Sequence, residues 1–405
     1  MYLTKYIGKV SLVTGFASLT FFATNIVLAR KLEVEDFGHF SLIRSLVMLI
    51  PVLIFLGFSN SIIRFSKFNV ISQYNIFKPI KKVSIFSVIF AVFIIGFVKY
   101  LYSLDMLDSL VLLGSSWILG RLWISNSLLR INEQYLTAQL LPFAWKFILL
   151  FLIIVLVLFD KVSLISALVV LFFSFIVSYF YGIRKEKQFK CGTKELSVKK
   201  IYLTGLSFFF VNLLSLFMSQ FDKLSIAKLF SNESVAIYTG VSLIALTSFN
   251  LLGTSVGYVL MPHLSKNKII SKTEFILYVF IVPIILYLLF FNFGEIFNDL
   301  FYKNKYSNYP VIFQLTLVIA VLQYYNNLIQ FSIGGIGSNK HVIQYLFLII
   351  ISSVIIVFTY ILLKNTTLIG ENRLVGLIIS ILIGWMFRVF FGGGLLIGKL
   401  LKARK

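Results

Sequence analysis

The residues able to do chemistry in this chain are polar and charged groups set inside long apolar runs. Five bases fall in such runs: Arg44, Arg121, Lys146, Lys223 and Arg388. One acid, Asp222, stands directly before Lys223. Amides and hydroxyls recur at helical spacing. Asn212, Ser215, Ser219 and Asp222 follow steps of three, four and three, which puts them on one helical face. Ser11, Thr14, Ser18 and Asn25 form a second stripe, and Thr247, Asn250, Thr254 and Gly257 a third. Thr316, Gln323, Asn327 and Gln330 form a fourth.

A polar group facing lipid is costly, so such stripes turn toward a neighbouring helix or a water-filled cavity. Small Ser, Thr and Gly positions also serve close helix packing. The amides and the acid favour a polar lumen. Arg121 is the deepest base and is expected to face that lumen. Arg44, Lys146 and Arg388 have a second reading, in which the long side chain reaches back to the headgroups. For Arg388 that reading follows if Gly392-Gly393-Gly394 ends its helix early. Cations between low-dielectric walls attract an anion, and Arg matches phosphate oxygens with a rigid fork of donors. An acidic or phosphate-bearing substrate is therefore expected. The candidate substrate-binding residues are Arg121, Lys223, Asn25, Asn212, Asn250, Gln323, Asn327, Lys146 and Arg44. Asp222 is the candidate for coupling an ion; its other role is to neutralise Lys223.

Enzyme chemistry finds no support. There is no Walker A loop, GxSxG, HExxH or dinucleotide fingerprint, and no cofactor or metal is called for. His39, His263 and His341 lack ligand spacing, and the one cysteine, Cys191, excludes an internal disulfide. The acidic stretch Glu33-Val34-Glu35-Asp36 resembles the first outer loop of membrane glycosyltransferases, but no large outer loop accompanies it.

The elements that must hold these groups are membrane helices. The 405 residues are 59% hydrophobic, 13% charged and of mean hydropathy +0.96. Twelve apolar segments approach the roughly 20 residues needed to span a bilayer. They cover 6–29, 38–62, 82–103, 107–129, 138–159, 162–183, 201–226, 235–261, 275–298, 310–333, 341–363 and 374–397. Backbone groups in lipid are satisfied within the segment, so these are helices. The first is read as a retained helix rather than a cleaved signal. Asp160-Lys161 is the tight turn between the fifth and sixth. The net charge of +22 sits in alternate loops, such as Lys78, Lys81 and Lys82, or Arg184, Lys185 and Lys187. The intervening loops hold acids, as at Glu33, Asp105 and Glu295. That asymmetry places both termini in the cytoplasm and leaves nucleic acid without a role.

Residues 184–200 form the longest basic connection. They divide a six-helix half, 1–183, from a second, 201–405. The halves look alike: Ala29-Arg30 aligns with Ala227-Lys228 and Glu35 with Glu233 at one common offset. A parallel internal repeat of this kind is one of the common transporter designs.

Asp222-Lys223, Ala227-Lys228-Leu229 and Val235-Ala236-Ile237-Tyr238 resemble the seventh-to-eighth helix signature of Wzx-type polysaccharide flippases. Ala236 replaces the usual glycine. Ala29 to Leu32 with Phe37 to Ser41, and Gly57 with Ile62-Ile63-Arg64, are similar to that family's first loop and second helix end. The family lies in the multidrug/oligosaccharidyl-lipid/polysaccharide exporter superfamily. The resemblance implies two six-helix bundles in a V around a central cavity. It implies movement of an undecaprenyl-pyrophosphate-linked O-antigen or capsule unit across the bacterial inner membrane. A polymerase and a chain-length regulator are the partners it implies. A drug or cation antiporter of the same fold is the rival reading, and it calls for an acidic lumen. An O-antigen polymerase or membrane glycosyltransferase is the third.

Overall fold

Apolar runs that cannot hydrogen-bond to lipid close their backbone bonds locally, and the computed structural model of the chain is helical almost throughout. It describes residues 2–59, 62, 74–132, 134–186, 194–195, 197–265, 276–303, 305–306, 308–336, 339–363 and 373–402. Cys191, Arg64 and residues 187–193 and 196 of the basic connection lie outside these. The helices are α1 Tyr2–Lys31, α2 Val34–Phe55, α3 Phe77–Tyr102, α4 Met106–Ile131, α5 Tyr135–Leu140, α6 Ala144–Leu158 and α7 Leu164–Glu186. There follow α8 Val198–Leu229, α9 Asn232–Ser265, α10 Val282–Tyr302, α11 Pro310–Ile336, α12 Asn339–Leu363 and α13 Arg373–Lys402. A two-residue parallel bridge pairs Tyr74 with Lys194 and Asn75 with Glu195. Among the described residues, ten helices are long and apolar enough to cross a membrane.

Two compact units emerge, Met1–Glu233 and Ser234–Lys405. In the first, α2 is the enclosed helix, with 83% of its most apolar window buried against 33% for α3. It packs on α3, α4 and α8. The outer face of α3 carries exposed Phe86, Phe90, Phe93 and Phe97, a surface suited to lipid. The sequence assigns α8 to the second half, but α8 packs within the first unit. Gly57 shows why. Its φ is +69°, and a Cβ there would stand 2.9 Å from the Phe209 main chain, so only glycine lets α8 approach α2 this closely. At the far end Lys228 Nζ donates to the Leu101 carbonyl at 2.8 Å, and Tyr102 Oη to the Leu224 carbonyl at 3.3 Å. The basic connection marks a change of charge; the packing boundary falls one helix later.

The fifth expected span is interrupted. Helix α5 stops at Leu140, a turn follows through Pro142, and α6 restarts at Ala144. Pro142 cannot donate a backbone bond and breaks the helix.

In the second unit α13 packs on α11 and α12. It runs unbroken through Gly392–Gly394, so Arg388 does not reach headgroups past a helix end. Arg388 is 3% exposed, donates to Ser352 Oγ at 2.9 Å, and stacks 4.3 Å from the Trp385 ring. The entry to α10 is a π turn, Leu277–Ile281. Pro283, just beyond it, lacks the N–H that would bond Val279 in an α-helix or Tyr278 in a π-helix. Both carbonyls are caught from α11: Tyr324 Oη donates to Tyr278 O at 2.5 Å, and Tyr325 Oη to Val279 O at 2.9 Å.

Candidate functional site: a cationic cavity in the first unit

A cavity of about 620 Å³ opens within the first unit. One face of α4 forms a wall, because Gly120, Trp123, Ser127 and Arg130 recur at three- and four-residue steps. Helix α2 contributes Arg44, Met48, Pro51 and Phe55, and α8 contributes Leu216, Gln220 and Lys223. The α5–α6 corner supplies Gln139, Pro142, Phe143, Trp145 and Lys146. The Pro142 break has a direct effect here: it starts α6 at the cavity, with Lys146 in its first turn.

Arg44, Arg130, Lys146 and Lys223 all line the space, and no Asp or Glu is among the described residues that do. Arg44 Nη1 donates to Asn25 Oδ1. Its guanidinium lies 4.7 Å from the Phe21 ring centre, and Lys146 Nζ lies 4.9 Å from the same ring. Phe143 adds a second face at 4.6 Å. The negative faces of these rings steady two like charges that repel one another. A bound anion would offset that repulsion, and partial removal from water strengthens each such interaction.

Two amides on the same side are orientated by their donors. Asn126 Nδ2 donates to the Ala138 carbonyl, which leaves Oδ1 as an acceptor. Gln139 Nε2 contacts Thr14 Oγ1 at 3.1 Å.

The structure gathers three of the expected residues at this cavity, Arg44, Lys146 and Lys223, with Asn25 held against Arg44. Asp222 is buried beside Lys223. Arg121 is placed elsewhere. Its Nη2 donates to Glu186 Oε2 at 3.1 Å and Oε1 at 3.3 Å, and Ser125 Oγ donates to the same carboxylate. Arg121 and Glu186 are both buried, so this base is neutralised in the α4–α7 interface and does not line the cavity. Asn250, Gln323 and Asn327 come together in the second unit. Asn250 Nδ2 donates to Gln323 Oε1 at 2.9 Å, and Asn327 Nδ2 to Asn250 Oδ1 at 3.2 Å. They bond each other between α9 and α11. The side chain of Asn212 lies outside the described residues. Arg130, Trp123, Asn126 and Gln139 are cavity residues that sequence reasoning missed; only the α4 periodicity could have found the first three.

Helices of this length and outer surface, enclosing a charged space, define a polytopic membrane protein. Comparison with known proteins says which kind. The chain belongs to the polysaccharide biosynthesis protein family, whose model matches residues 3–268. No curated protein gives a significant match. The fold is similar to that of a multidrug resistance MATE family transporter of the MOP superfamily in an inward-facing conformation. The TM-score is 0.66 at 14% identity, over 97% of this chain and 98% of that one. It is also similar to the lipid II flippase MurJ in an inward closed conformation, at TM-score 0.65 and 16% identity, over 96% of this chain and 87% of that one. The Vibrio cholerae MATE transporter VcmN in its bent form gives TM-score 0.61 at 14% identity, over 99% and 98%. At these identities the likeness is one of fold.

Proposed function

We propose that the protein is a flippase for a lipid-linked oligosaccharide, of the undecaprenyl-pyrophosphate type that carries O-antigen or capsule units, in the bacterial inner membrane with both termini cytoplasmic. One observation carries this reading: Arg44, Arg130, Lys146 and Lys223 line a cavity to which no described carboxylate contributes. A pyrophosphate would be held there by charge-assisted bonds. Sugar hydroxyls would donate to acceptors such as Asn126 Oδ1. The lipid tail would stay in the bilayer. Membership of the polysaccharide biosynthesis family and the fold shared with a lipid II flippase support the same reading.

A drug or cation antiporter shares the fold but needs an acidic lumen, and the charge of this cavity has the opposite sign. The family and the transporters that share the fold favour transport over an enzymatic role. Deletion of the gene tests the proposal. Lipid-linked repeat units should accumulate on the cytoplasmic leaflet while surface glycan is lost. A deletion strain with surface glycan lost and no such accumulation would overturn it.

A further inference from the structure

A second polar cluster stands apart from the cavity, where α2, α4 and the α8–α9 connection meet. His39 is in the second turn of α2. Its Nε2 lies 2.9 Å from Asp108 Oδ2, in the first turn of α4. A carboxylate only accepts, so Nε2 carries the hydrogen. On the other side Asn232 Nδ2 lies 3.2 Å from His39 Nδ1 and donates to it. Asp108 is 4% exposed and also accepts from the Asp105 backbone N–H at 3.2 Å. The imidazole is thus neutral, with both nitrogens used, and is shared by three segments distant in sequence. The charged groups acting on it are Asp108 in α4, Asp105 just before α4 and Asp36 from its own helix, while the start of α9 offers the uncharged Asn232. Asn232 opens α9, and the chain passes to the second unit after Glu233.

We propose that the His39–Asp108–Asn232 cluster is a proton-binding site that fastens the α8–α9 connection to the ends of α2 and α4. The proton adds to Nδ1. The Asn232 amide then turns about its last torsion and accepts from Nδ1–H through Oδ1. The Nε2–H bond to Asp108 remains and becomes an imidazolium–carboxylate pair. The bond to Asn232 passes from neutral to charge-assisted, which strengthens it roughly twofold, while the bond to Asp108, already charge-assisted through the carboxylate, gains the attraction of an ion pair. In the neutral state the same two bonds are weaker and the connection opens more readily. The loop-charge pattern puts this end on the non-cytoplasmic side, where a proton would arrive down the membrane gradient. The site does not depend on what the cavity carries.

The test uses the full-length protein in nanodiscs and needs no transport substrate. The chain has three histidines, so a His263→Gln, His341→Gln background leaves His39 as the sole imidazole. Nitrogen-15 NMR should show one titration near the range of about pH 5 to 8 in which imidazole charge changes, with the Nε2–H tautomer on its alkaline side. Asp108→Asn should move its midpoint by about one unit. Hydrogen exchange across the α8–α9 connection, corrected for intrinsic rates, should be about fivefold slower in the protonated state. His39→Gln should abolish that difference. Asn232→Ala, a milder change, should abolish it while His39 still titrates. An invariant imidazole, a midpoint indifferent to Asp108→Asn, or the same exchange response in Asn232→Ala overturns the proposal.

Discussion

Single side chains divide here into a base closed against a buried acid and bases that line a cavity. Arg121 and Glu186 form a closed pair, and breaking it by one partner leaves a buried charge. Glu186→Gln should therefore destabilise the protein by about 3–5 kcal/mol. The paired change Arg121→Met with Glu186→Leu should cost far less, read by thermal unfolding in detergent. Lys146 differs because it lines the cavity, where the proposed function gives its charge a ligand to hold. Lys146→Met should weaken inorganic pyrophosphate binding about tenfold by calorimetry, whereas Lys146→Arg keeps it within about threefold. The sequence showed Lys146 and Lys223 at once, because a charge in an apolar run stands out. It misled on Arg121, because Glu186 is 65 residues away and sits at a helix end that reads as a solvated loop. Arg130 was hidden for the opposite reason: at the end of an apolar helix it looks like an ordinary headgroup anchor.

Helices and turns were legible as far as hydropathy speaks. The apolar runs mark where helices lie, and Asp160-Lys161 marks a turn, with Asp160 at φ +50° and paired to Lys31 at 3.5 Å. Breaks were harder. Pro51 lies inside a continuous α2, while Pro142 ends a helix, and the two prolines look alike in sequence. The π turn before Pro283 was invisible, since it depends on Tyr324 and Tyr325 arriving from another helix. Tyr325→Phe should cost about 1–2 kcal/mol by leaving the Val279 carbonyl unmade. In a Pro283→Ala background the restored N–H should remove most of that cost, a coupling that a double-mutant cycle measures. Gly57→Ala should destabilise by about 1–3 kcal/mol and loosen α8 from α2, seen as faster hydrogen exchange in both helices. Gly57 was noticed in the sequence for its resemblance to a family position. Its physical task is to admit the Phe209 main chain at a positive φ.

For the whole molecule, the charge pattern and hydropathy gave the membrane class, while the chain packs as two units. Their boundary at Glu233 was not legible, because charge runs report where loops meet water and say nothing of which helices pack together. The functional claim rests on charge inside the first unit: cations line a space large enough for a substrate group, and no described acid lines it. The most direct measurement is flipping in proteoliposomes, using a fluorescent undecaprenyl-pyrophosphate-linked glycan whose outer-leaflet label is quenched on demand. The account predicts that the wild-type protein moves the lipid across and that Lys146→Met with Lys223→Met does so at about a tenth of that rate or less, at equal reconstitution. Wild-type protein that leaves the lipid in its leaflet, or a double variant that flips it at the wild-type rate, would contradict the account.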